Sequence, residues 1–173
     1  NLTQDSLNFG IGKLNHGFRT PSSIFYLNSL FYLPLAEYYL FNFSAAFILG
    51  FSNIILLKKV SNFFENFKMK SMEIKFSNYL ALLSFIFINI FFYRISEHGT
   101  DRSAQILIFL LFIYLLEIFE NKKNEKIDLF FISILFTLII SLKSFYFLYM
   151  LLLIPLFYFL LQRNKSLSLT LKL

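Results

Sequence analysis

Three stretches of this chain carry no charged residue at all, and their lengths restrict the fold more than any other feature. Twenty residues separate Glu37 from Lys58, 18 separate Lys75 from Arg94, and 19 separate Lys143 from Arg163. A helix rises about 1.5 Å per residue and a bilayer's hydrocarbon core is about 30 Å thick, so each stretch is long enough to cross one. Two further runs, Ser103 to Leu116 and Leu129 to Leu142, would make helices of about 21 Å and fall short. Glu117 and Glu120 beyond the first, and Lys143 beyond the second, extend these crossings by snorkelling or by facing protein.

Composition agrees. Only 15% of residues are charged and 57% are hydrophobic, too few charges to cover a water-soluble domain. The expected fold is all-α: a polytopic transmembrane bundle of about five spans, over 41–57, 76–93, 103–119, 128–142 and 145–161. The last two form a helical hairpin turning near Lys143 and Ser144. Residues 1–21 are read as an external loop and 22–40 as a short interfacial or re-entrant helix. For that helix Thr20 serves as N-cap, Pro21 takes the first helical position, and Pro34 ends it. Gly50, with Ser44, Ala45 and Ala46, is expected to allow close helix packing. Asn1 stands where a start methionine would, and no signal-peptide core follows, so the sequence is read as part of a longer protein.

Loop charges set the orientation. The segments Lys58–Lys75, Glu120–Lys126 and the tail from Arg163 hold 11 of the 16 Lys and Arg, which makes their side cytoplasmic. Anionic lipid accounts for those basic loops, and no nucleic-acid partner is implied. The external face receives His16, Arg19, Arg94, Glu97, His98, Asp101, Arg102 and Lys143. With no Cys and two His, thiolate and multi-His metal sites are excluded, while a carboxylate-held divalent ion is left open.

The segment "YRISEHGTDRSAQILIF", Tyr93 to Phe109, concentrates the chemistry. Thr100 or Asp101 caps the following helix, and with equal weight Asp101 is read as a general base or metal ligand just outside the hydrocarbon. Glu97 and His98 form a carboxylate–imidazole pair suited to proton transfer near neutral pH, or a plain solvated turn. Arg94 snorkels. Arg102, beside Asp101, pairs with it or with an external phosphate. Lys143 interrupts an apolar hairpin on the side that should carry few cations, and is read as a ligand for a lipid phosphate or as the hairpin's hydrated tip. His16 and Arg19, in a glycine-containing loop whose spacing is no nucleotide fingerprint, complete the candidate substrate-binding set.

"FGIGKLNHGFRTPSSIFYLNSLFYLP" (Phe9 to Pro34) and "SEHGTDRSAQILIF" together resemble two passages of large bacterial membrane proteins related to GT-C-type glycosyltransferases. The resemblance implies transfer of a sugar from a polyprenyl-phosphate donor to a glycan or lipid acceptor, on the extracytoplasmic face of the inner membrane. It also implies a catalytic carboxylate in the first external loop. Asp5 fits by position, but the family's acidic residue lies further upstream of the glycine-containing passage, outside this chain. Asp101 is the carboxylate that matches the later motif. The rival readings are an O-antigen polymerase or ligase, which would rely on external arginines, a transporter, and an inert assembly subunit.

Overall fold

A computed structural model describes residues 23–31, 33–35, 39–40, 42–68, 75–93, 99–120 and 125–170. All the regular elements among them are helices: α1 (Ser23–Leu30), α2 (Phe43–Lys68), α3 (Phe76–Phe91), α4 (Gly99–Glu120), α5 (Glu125–Leu142), a 3-10 helix (Ser144–Leu152) and α6 (Leu153–Thr170). The fold is all-α. Three segments, Phe43–Glu65, Asp101–Glu120 and Ser144–Gln162, are long and apolar enough to cross a membrane, while Phe76–Phe91 and Leu129–Leu142 are shorter apolar helices.

α4 lies at the centre. Of its apolar stretch 56% is buried, against 28% for α2 and 6% for the 3-10 helix with α6. Ala104, Ile106, Leu107, Ile108, Leu110, Leu111 and Ile113 are all buried, so α4 is covered on nearly every side, as a helix apolar all round must be. Its neighbours bury one stripe each. On α5 this is Ile132, Leu135, Phe136, Ile139 and Leu142, and on α3 it is Ser77, Ala81, Ser84 and Ile88, at helical spacing. Three of those four α3 residues are small, which lets its backbone approach α2 and α4 closely. Aromatic pairs join the helices laterally. Phe87 meets Phe109 with ring centroids 5.5 Å apart, and Tyr114 stacks on Phe131 at 5.5 Å.

The outward faces are apolar too. Phe51, Ile54 and Leu57 on α2, Leu83 and Ile90 on α3, and Phe130 on α5 are all exposed. Water would not solvate a continuous surface of this kind, whereas hydrocarbon does.

α2 differs from the expected first span. It continues for 26 residues to Lys68, carrying Lys58 and Lys59 inside the helix where a cytoplasmic loop was expected to begin. The reason is its buried stripe: Leu56, Val60 and Phe63 keep helical spacing straight through the lysine pair. Gly50 also departs from expectation. It is exposed, with nothing within 4 Å of where a Cβ would sit, so close packing on α2 comes from buried Ser44 and Ala45, while Ala46 is exposed.

The change from 3-10 helix to α6 has a cause in the sequence. Pro155 lacks the N–H that an uninterrupted α-helix would direct to the carbonyl of Leu151, and its ring would collide with that carbonyl, a combined cost of about 3 kcal/mol. Starting α6 at Leu153 places Pro155 in the first turn, where no N–H is needed. Upstream the backbone takes i to i+3 bonds, beginning with Tyr146 N–H donating to the Lys143 carbonyl at 3.1 Å. The longer rise of a 3-10 helix also suits a 19-residue span, which would otherwise reach about 28 Å.

Candidate functional site

The start of α4 and the end of α5 meet at one end of the bundle. α4 begins at Gly99, so Asp101 lies inside its first turn and is not the N-cap. A carboxylate there still complements the positive end of the helix dipole. Lys143 follows the last residue of α5 in extended conformation (φ −153°, ψ 112°), with its N–H donating to the Ile139 carbonyl at 3.0 Å. From that position its ammonium donates to Oδ1 of Asp101. The Lys143 side chain is 29% exposed and that of Asp101 is 45% exposed, so the pair is open to a ligand. Lys143 is thus neither a free hairpin tip nor an isolated cation. It is paired across 42 residues of sequence with the carboxylate that heads α4.

Arg102 follows directly and is half-buried, and Ser103 beneath it is fully buried. α1 packs at the same end, where Ser23 Oγ donates to Ser141 Oγ at 3.2 Å and Ile24 is buried. The structure therefore unites Asp101 and Lys143, with Arg102 next to Asp101 in the first turn of α4. Glu97, His98, Arg94, His16, Arg19 and Asp5 lie outside the described residues. Among the described residues, no three His, Cys, Asp or Glu converge to hold a metal ion.

A second polar cluster occupies the other end of α4. Lys59 Nζ donates to both carboxylate oxygens of Glu117, at 2.5 and 2.6 Å, and lies 4.4 Å from the centre of the Tyr114 ring. The side chains of Lys59 and Glu117 are 15% and 17% exposed, so this pair is considerably drier than Asp101 with Lys143. One turn on, Glu120 accepts the backbone N–H of Ser77 at 3.2 Å and its hydroxyl at 2.5 Å. The residue heading α3, Lys75, makes no side-chain cap, so a carboxylate from α4 takes over that task. Glu117 and Glu120 therefore face protein.

Sequence reading placed Lys59 in a loop and missed its pairing with Glu117. The available signal was the apolar spacing that runs past the lysines to Phe63. Within the spans, Asn53 and Asn89 exchange side-chain amide bonds of 3.2 and 2.9 Å, and Asn89 also donates to the Phe85 carbonyl at 2.8 Å. Thr137 donates to the Ser133 carbonyl one turn back, at 2.9 Å. The asparagines are satisfied across α2 and α3 and Thr137 within its own helix, whereas the buried Ser84 hydroxyl finds no partner among the described residues.

A family described as a domain of unknown function, DUF8201, matches residues 8–173. No curated protein and no solved structure matches the chain.

Proposed function

The chain belongs to the DUF8201 family, and we propose that it is an integral membrane glycosyltransferase. In this reading it transfers a sugar from a polyprenyl-phosphate donor to a glycan or lipid acceptor, on the extracytoplasmic face of the bacterial inner membrane. The observation that carries the reading is the meeting of Asp101 and Lys143 at one end of an apolar bundle, with both side chains partly open. Nine of the 16 Lys and Arg, leaving out Lys58 and Lys59 inside the first candidate span, fall in the segments that the order of the spans assigns to the opposite side, which favours an extracytoplasmic position for Asp101.

The pair supplies complementary chemistry. Lys143 holds the Asp101 carboxylate until substrate arrives. An acceptor hydroxyl gives its proton to Asp101 as its oxygen attacks the anomeric carbon of the donor sugar. The bond from that carbon to the phosphate oxygen breaks, and the phosphate leaves with the electron pair. Lys143 and Arg102, freed from the resting arrangement, neutralise its charge.

The test is transfer of radiolabelled sugar from polyprenyl-phosphate donors by membranes containing the full-length protein. Activity abolished by Asp101→Asn in a normally inserted protein is the expected outcome. Activity that survives Asp101→Asn removes Asp101 from the chemistry. One observation favours a transporter as a second reading: Lys59 and Glu117 form an ion pair inside candidate spans, where ionisable residues are uncommon. Solute uptake that depends on Glu117, with no sugar transfer from any donor, would select it.

A further inference from the structure

We propose that Ser144–Leu152 is a screw joint, held in its long form by Pro155, that sets which face of α6 meets α4. The inference stands apart from the glycosyltransferase reading. A 3-10 helix turns about 120° and rises about 2.0 Å per residue, whereas an α-helix turns about 100° and rises about 1.5 Å. Over nine residues the two forms therefore differ by about 180° of rotation and about 4.5 Å of length. One end of the joint is fixed: Lys143 is bonded to Asp101 and to the Ile139 carbonyl, on a helix anchored by buried Ile139 and Leu142.

The other end is lightly held. Within Leu153–Gln162 only Leu156 is fully buried, and the ring of Phe159 meets that of Phe119 on α4 with centroids 4.9 Å apart. The joint buries none of its own residues fully; Tyr146, Met150 and Leu152 rest partly buried against the core, and Tyr149 meets Phe112 of α4 with ring centroids 6.0 Å apart. Conversion to α-helix would therefore leave Lys143 in place and move α6, turning Leu156 and Phe159 away from α4 and drawing them towards the Lys143 end. The flank of α4 that they cover would open sideways to the surrounding phase. Proline three residues into α6 blocks that conversion, because a continuous helix would put it in the interior.

The chain contains no cysteine, so introduced pairs report alone. In the full-length membrane protein, Phe119→Cys with Phe159→Cys is treated with a short bis-methanethiosulfonate cross-linker, with Pro155 present and in Pro155→Ala. Ser23→Cys with Ser141→Cys reports on the rest of the bundle. The expected result is a five-fold or greater loss of the 119–159 link in Pro155→Ala, while the 23–141 link is kept. Moving the proline by one position, as Ile154→Pro with Pro155→Ala, keeps the Leu153 N–H that donates to the Met150 carbonyl, again disfavours a continuous helix and should restore the 119–159 link. An undiminished 119–159 link in Pro155→Ala overturns the proposal. If Pro155→Ala loses both links, the shifted proline decides: recovery of both supports the joint, and failure to recover them assigns Pro155 to general stability and overturns it.

Discussion

The two ends of α4 solve the same problem in opposite ways. At its first turn Asp101 meets Lys143 with 45% of the carboxylate side chain exposed, and at its last turns Glu117 meets Lys59 with 17% exposed. The open pair carries little stability, because water reaches and screens both partly exposed side chains. The dry pair has given up that hydration, so each partner depends on the other, and Tyr114 supplies a further electrostatic contact to the ammonium. One end is therefore suited to exchanging partners with a ligand and the other to fixing α2 against α4.

Substitutions can break this contrast. Glu117→Gln leaves Lys59 buried without a counter-charge and is expected to cost the most stability, about 3–5 kcal/mol, read from denaturant unfolding in detergent. Replacing the pair together, as Lys59→Met with Glu117→Leu, should recover most of that loss, and failure to recover would mean that the pair does more than satisfy itself. Asp101→Asn should behave in reverse, with unfolding shifted by less than about 1 kcal/mol and sugar transfer lowered by at least about 100-fold. A large stability loss there would make the two ends equivalent and defeat the comparison. Ser77→Ala removes the hydroxyl donor to Glu120 from a fully buried site and should cost about 1–2 kcal/mol, extending the dry end to α3. Gly50→Ala touches neither end. Its open surroundings predict a gain of about 0.4–1 kcal/mol in the same unfolding assay, with transfer unchanged.

The apolar runs made the helical class and the longest spans legible, because charge-free length is a direct statement about solvent. Local spacing also contained the end of α2, since Val60 and Phe63 continue the stripe beyond Lys59. The lysine pair pointed the other way, because a lysine facing lipid and a lysine facing a buried glutamate look alike until the partner helix is in place. Asp101 and Lys143 were separately visible as charges out of keeping with their surroundings. Their union required the turn between α5 and the 3-10 helix to fall level with the start of α4, a matter of helix lengths and packing that no local pattern encodes. Gly50 shows the converse: a small residue suggests close approach, but only the rotation of α2 decides which way it faces.

The Glu120–Ser77 contact completes the picture of α4. Counting Lys143, Lys59 and Ser77, this one helix is gripped by three different neighbours, near its first turn and near its last. The Lys59 and Ser77 contacts are the dry ones, so the last turns of α4 are held firmly while its first turn rests on a pair that can change partners. The span that contains Pro155 is the least buried of the three candidate spans, and displacing it would lay bare the flank of α4.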